Sequence, residues 1–176
     1  MHLSWRDVPP CPGGPLIPTS VTAAEAARLA ALADGRDVLE VGSAYGYSAA
    51  VMACGGARHV TAVDPHAQLG SHEAMLANLA AAGVAGQVTV VREFSGQALP
   101  GMTQLGFGLV FIDGDHAYGS VLADVKAALP LIRPGGFLAC HDYGEDCCCV
   151  GVRQALDELF PDGPAELVDT LFVVET

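Results

Sequence analysis

The chain reads as a doubly wound α/β domain, with a mainly parallel sheet and helices on both faces. Three observations predict this. Short apolar runs that suit buried strands alternate along the chain with Ala-rich stretches that suit helices. The run DVLEV at 37–41 stops at Gly42 and passes through Ser-Ala-Tyr-Gly straight into a helix pattern. Two further runs end in a carboxylate, at Asp64 and Asp113, and strand ends are where open sheets gather their ligands.

Bulk properties narrow the class. A length of 176 residues suits one domain with a substantial core, and 51% apolar against 16% charged residues describes a folded globular chain. The formal charge of -12 argues against nucleic acid, whose phosphates it would repel. No 18-residue apolar run is present, so no membrane span or membrane partner is expected. Residues 1–20 lack the basic start and apolar core of a signal peptide, and the expected compartment is the cytoplasm. Of six cysteines, Cys11, Cys54 and Cys140 are scattered while Cys147, Cys148 and Cys149 adjoin. Adjacent cysteines suit neither a mutual disulfide nor a zinc site, and free thiols are expected.

Residues 1–21 read as an irregular arm, since residues 1–20 hold five of the eleven prolines and a Gly-Gly pair. The arm carries the only tryptophan, Trp5, read as its anchor on the surface or else as a cover over a pocket. The folded domain is expected over 22–176. Thr22 and Glu25 make a capping box that opens a helix ending near Gly35. Strand one follows at 37–41, then the glycine turn and a helix from Tyr47. Strand two is expected at 59–63, and a helix capped by Ser71 and stopped by Gly83 comes next. Strand three is placed at 87–91, a short helix at 96–102 and strand four at 108–112. A helix at 117–129 stops at Pro130, and the turn Arg133-Pro134-Gly135-Gly136 leads into strand five at 137–140. A last helix at 150–160 precedes two short strands, 166–168 and 171–175, paired as a hairpin around Asp169-Thr170.

The strand ends carry the chemistry. The first gives Glu40-x-Gly42-x-Ala44-x-Gly46, a turn that lets bare backbone approach a nucleotide-like ligand but lacks the G-x-G-x-x-G of a dinucleotide site. Asp64, 24 positions after Glu40, suits the two hydroxyls of a ribose, or else a loop cap. Glu93-Phe94-Ser95 suits an adenine by stacking and an edge hydrogen bond, unless Phe94 belongs to the core. Asp113, Asp115, His116, His141 and Asp142 collect at two strand ends expected to be neighbours. Such an oxygen-rich corner suits Mg²⁺ or another divalent cation, with His116 or His141 as general base; caps and helix-dipole partners are the plainer reading of the aspartates.

The segments LEVGSAYGYSA, TAVDPH and FIDGDHAYGSVLADVKAALPLIRPGGFLACHDY together resemble the class I S-adenosylmethionine (SAM)-dependent methyltransferases of the Methyltransf_24 type, similar to small-molecule O-methyltransferases. The resemblance covers roughly 22–176. It implies a Rossmann-like sheet of seven strands, the last antiparallel. It assigns Gly42, Ser43, Ala44 and Gly46 to the methionine moiety, and Glu40 to a place beneath the loop. Asp64 goes to the ribose, Glu93, Phe94 and Ser95 to the adenine, and Ser48 and Pro65 to the cofactor site at large. Asp113 falls at the cofactor and, with His141 and Asp142, at the metal position, where His141 stands in place of a carboxylate or amide. The implied reaction transfers a methyl group to a hydroxyl of a small molecule, with Asp113, His116 and His141 as catalytic groups and a divalent metal as an aid. Transfer to nitrogen and a non-catalytic SAM-fold module are the alternatives, and a homodimer is an expectation.

Overall fold

A computed structural model describes residues 6–102, 106–145 and 150–176. Seven strands form one sheet: β3 (Asp37–Val41), β4 (His59–Val63), β5 (Val88–Val91), β6 (Phe107–Ile112), β7 (Ile132–Cys140), β8 (Glu166–Val168) and β9 (Leu171–Glu175). Their order is β5-β4-β3-β6-β7-β9-β8. Pairings from β5 to β7 are parallel, and β9 runs antiparallel to both β7 and β8. The strand order therefore reverses between β3 and β6, and the strand ends that flank this point carry Gly42 and Asp113. In open α/β sheets that crevice is where ligands bind.

Successive residues of a strand face opposite sides, and both sides here are apolar. Val38, Leu109 and Phe111 face one layer, made of α1 (Ala23–Ala33), α2 (Tyr47–Cys54) and α3 (Ser71–Ala81), with Leu29, Met52 and Met75 completely buried. Leu39, Val110 and Leu138 face the other layer, where α5 (Tyr118–Ala128) and α6 (Val150–Leu159) contribute Val125 and Leu156. All six residues of β6 are buried, which explains its unbroken apolar run FGLVFI. The short helix α4 (Ser95–Ala98) and a 3-10 turn at Leu99–Met102 lead into that strand. Among the described residues no helix is long and apolar enough to cross a membrane.

Three local expectations change. The arm, expected to be irregular, holds an antiparallel hairpin of β1 (Arg6–Val8) and β2 (Ile17–Thr19). Its prolines 9, 10, 12 and 15 fall in the connecting loop, so they break no ladder, and Ile17 joins the core. The helix after β4 is not capped by Ser71. Gly70 takes the N-cap position at φ 81°, and Ser71 Oγ instead donates to the Gln68 carbonyl. Strand β7 begins at Ile132 rather than Phe137, and the Arg-Pro-Gly-Gly turn becomes an irregularity in its pairing with β6. The readings of Trp5 and of Cys147 to Cys149 lie outside the described residues.

Candidate active site

The glycine loop is built by close backbone approach. Gly42 sits at φ 87°, and a Cβ there would come within 2.1 Å of the Asp113 carbonyl oxygen, so the ends of β3 and β6 touch. Gly46, at φ 83°, opens α2 and lies against Met75 of α3. Between them Ala44 also takes a left-handed conformation, at φ 43°. The Asp64 carboxylate at the end of β4 holds this loop. Its Oδ2 accepts from Ser43 N at 2.9 Å and Ala44 N at 2.8 Å, while Oδ1 accepts from His66 N at 2.6 Å.

Glu40 lies beneath the loop, fully buried on β3. Ser48 Oγ donates to its Oε1, and Oε2 has no hydrogen-bond partner. Burial, only partly countered by Ser48 and reinforced by the charges of Asp113 and Asp64, pushes its pKa up to about 8. Glu40 is thus a neutral acid at pH 7.

A cavity of about 1010 Å³ opens over the crevice. Gly42, Ser43, Ala44, Ser48, Asp64 and Pro65 line it together with Asp113, His116 and Asp142. Phe94 and Ser95 form part of the wall between α4 and α5, and Phe94 keeps 62% of its surface exposed, so its ring is not core. Ser95 Oγ donates to Asp124 Oδ1 at 2.5 Å. Glu93 is exposed and does not reach the cavity, and Gly46 and Glu40 lie behind its wall. Residues 18–21 of the arm complete the rim.

Parallel β6 and β7 bring Asp113 and the His141-Asp142 pair together. His141 is completely buried as a side chain. Its Nε2 is 3.1 Å from Glu25 Oε2, and its Nδ1 is 3.4 Å from Asp113 Oδ1 and 3.2 Å from Asp142 Oδ2. Asp142, at φ 62°, turns its carboxylate back so that the same Oδ2 lies 3.0 Å from His116 Nε2. Burial disfavours charge on His141, but Asp113, Asp142 and Glu25 outweigh it and raise its pKa far above the ordinary value. Burial likewise opposes the Asp142 carboxylate, and the two imidazoles outweigh it and hold its pKa low. The hydrogen bond to Asp142 raises that of His116. Asp115 plays a local role: its oxygens accept from Ala117 N at 3.2 Å and Ser120 Oγ at 2.7 Å, bracing the turn that leads into α5.

Glu25 is the site residue that the capping-box reading conceals. Its Oε2 accepts from Thr22 N at 2.8 Å, as a capping box requires, and the same oxygen faces His141. Its Oε1 accepts from Thr170 N and Thr170 Oγ1 at 2.9 and 2.8 Å. The only signal in the sequence was an acidic residue in a helix otherwise made of Ala, Leu and one Arg.

Asp113, His141 and Asp142 are a group whose donor atoms could share one metal ion, all within 4.8 Å of one another. The fit is tested by the buried His141 Nδ1, which has no aligned hydrogen-bond partner although two carboxylate oxygens are near. A buried nitrogen left in that state suits coordination.

Comparison with known proteins agrees with this geometry. The profile of the family described as "Methyltransferase domain" matches residues 39–143, more than half of the chain. Among solved structures, cofactor-bound Rv0187 from MTB is 29% identical, with a TM-score of 0.68 over 82% of this chain and 70% of that one. The O-methyltransferase of Bacillus cereus in complex with SAH is 22% identical, with a TM-score of 0.67 over 82% and 71%. TomG, an O-methyltransferase of Streptomyces achromogenes in complex with SAM, is 24% identical, with a TM-score of 0.67 over 79% and 69%. At those identities the last two show the shared fold. A search of curated proteins finds no match. With the glycine loop, the strand-end carboxylates and the family profile falling on the same segment, the chain belongs to the methyltransferase-domain family and is a class I SAM-dependent methyltransferase.

Proposed function

We propose that this enzyme methylates a hydroxyl of a small molecule, with His116 as general base beside a divalent cation held by Asp113, His141 and Asp142. The observation that carries this reading is the single cavity joining the glycine loop and Asp64 to the His116–Asp142 pair. At about 1010 Å³ it has room for a cofactor and a small acceptor together. The solved relatives named above, one cofactor-bound, one with SAH and one with SAM, support the same use of the cavity.

Bound SAM supplies a methyl group on a sulfonium, open to in-line displacement. The chain's contribution begins with orientation. The loop at Gly42 to Ala44 and the acid at Asp64 are fixed to each other by hydrogen bonds, so the ligand meets a preformed surface. Fixing two reactants in line supplies several kcal/mol of the barrier. The exposed Phe94 ring offers an adenine a face, and Ser95 an edge. At the acceptor end Asp142 holds His116 through Nε2, which leaves the second ring nitrogen to take the hydroxyl proton. A cation at Asp113, Asp142 and His141 Nδ1 would lower the pKa of that hydroxyl. The unbonded thiols of Cys11, Cys54 and Cys140 fit a reducing compartment, in keeping with a cytoplasmic enzyme.

Calorimetric titration with S-adenosylhomocysteine tests the cofactor, and a Kd in the micromolar range is expected. Radiolabelled SAM offered with a panel of small phenols, sugars and amines then tests the acceptor. Label in the hydroxylated compounds supports the reading, label in amines alone replaces it with nitrogen transfer, and absence of binding heat overturns it.

A further inference from the structure

Resting on the methyl-transfer reading, we propose that the Asp113–His141–Asp142 corner selects a borderline transition-metal dication such as Mn²⁺, Co²⁺ or Zn²⁺ over Mg²⁺, with Glu25 as the residue that positions its nitrogen ligand. Three features of the corner lead there.

The first is the donor set. Two carboxylates alone would suit a hard ion that keeps its waters, whereas an imidazole nitrogen adds most to the binding of Zn²⁺ and Co²⁺, less to that of Mn²⁺ and least to that of Mg²⁺. His141 is completely buried, so its ring cannot swing out and leave the site to oxygen ligands.

The second is the spacing. His141 Nδ1 is 3.2 Å from Asp142 Oδ2 and 3.4 Å from Asp113 Oδ1, yet neither contact has the alignment of a hydrogen bond. Donors about 2.0–2.1 Å from one shared ion lie roughly 3.0–3.4 Å apart, for octahedral and tetrahedral angles respectively. The observed 3.2 and 3.4 Å lie close to that range.

The third is what stands behind the ring. A ligating histidine usually donates its other N–H to a carboxylate, which fixes the tautomer and the ring plane. Here Glu25 fills that place through Nε2, at 3.1 Å. Glu25 is itself immobilised, by Thr22 at the start of α1 and by Thr170 in the β8–β9 turn. With Nε2 committed to Glu25, Nδ1 faces the oxygens of Asp113 and Asp142, and a cation bound there would displace its proton. His116 Nε2, 3.0 Å from the shared Asp142 oxygen, stands just outside this set.

The test is equilibrium binding of metal ions to the chelator-stripped full chain. Calorimetry with Mn²⁺, Zn²⁺ and Mg²⁺, and visible absorption with Co²⁺, read the corner directly, while SAH titration of the same samples reads the methyltransferase site separately. Mn²⁺ and Zn²⁺ are expected to bind at least tenfold tighter than Mg²⁺, and Co²⁺ to give a visible spectrum altered in His141→Asp. That variant should bring Mg²⁺ within about threefold of Mn²⁺. Glu25→Gln should weaken Mn²⁺ about 10- to 100-fold with SAH affinity unchanged, the range expected for loss of a partner behind a metal ligand. Wild-type protein that binds Mg²⁺ as tightly as Mn²⁺, or that binds SAH but none of the four ions, overturns the inference and leaves methyl transfer standing. An unchanged Mn²⁺ affinity in Glu25→Gln removes Glu25 from the site.

Discussion

Asp64 accepts a hydrogen bond from Ala44 N at 2.8 Å, across 20 positions of chain, and from Ser43 N through the same oxygen. The acid assigned to the ribose is therefore also the clamp of the loop assigned to the methionine moiety. Two roles at one carboxylate predict separable mutant effects.

Asp64→Asn keeps an oxygen for the two loop N–H groups but turns an amide toward His66 N, losing that bond. Its stability should fall by about 1 kcal/mol, against about 2–3 kcal/mol for Asp64→Ala, which strands all three donors. A ribose diol needs both carboxylate oxygens as acceptors, so SAH affinity should drop at least tenfold in either variant, or about 1.4 kcal/mol. Denaturant unfolding and SAH calorimetry on the pair separate clamp from ribose ligand. An Asp64→Asn protein with full SAH affinity would remove Asp64 from the ribose.

Ala44 has a Cβ in a left-handed conformation, at φ 43°, which costs an alanine roughly 1–2 kcal/mol. Glycine avoids that strain but loses about 0.5–1 kcal/mol of chain entropy on folding. Ala44→Gly should therefore stabilise the protein by up to about 1 kcal/mol and raise Tm by a few degrees. Thermal unfolding checks it, and a lowered Tm would mean that the methyl packs well enough to repay its strain.

Glu40 sets a pH dependence of unusual sign. Its pKa is near 8 in the folded protein and about 4.5 when unfolded. Between those values the folded chain keeps a proton that the unfolded chain has lost, so this residue makes stability fall as pH rises from about 4.5 to 8. Below that window the acid is protonated in both states and its effect is absent. Glu40→Gln is neutral throughout and keeps a partner for Ser48. Its Tm should converge with wild type near pH 4.5 and exceed it by a growing margin toward pH 8.5, equivalent to a few kcal/mol. A constant offset between the two proteins across that range would place Glu40's pKa near its ordinary value.

Much of this was legible from local pattern. Strands β3, β4 and β6 announce themselves as apolar runs, and their ends carry Gly42, Asp64 and Asp113, which line the cavity. Glycine at 42 and 46 reports backbone constraints that any local inspection finds. What stayed hidden depends on distant partners. Glu25 satisfies a capping box, so nothing in its neighbourhood signals a histidine 116 positions away. The arm's prolines signal disruption, but four of the five interrupt a loop while the residues on either side, Pro18 included, pair. Glu93 has the chemistry for an adenine edge and the right neighbours in sequence, yet the turn into α4 leaves it in solvent. Residue type and spacing locate the crevice; which side chains enter it is decided by packing between elements.

His116 gives the most direct test of mechanism. It lines the cavity, its side chain is 39% exposed, and Asp142 fixes one ring nitrogen at 3.0 Å. The hydrogen bonds that join Asp64 to the glycine loop do not involve His116, so loss of the proposed base should leave the cofactor end intact. His116→Ala should therefore lower kcat about 10²- to 10⁴-fold on the hydroxyl acceptor returned by the labelled-methyl panel, with SAH affinity within twofold of wild type. An acceptor of lower intrinsic hydroxyl pKa needs less help from a base. Among phenols, the variant's deficit should shrink as ring substituents make the hydroxyl more acidic. A deficit constant across such a series would assign His116 to positioning the acceptor, and a kcat within threefold of wild type would move the proton-transfer role to another residue.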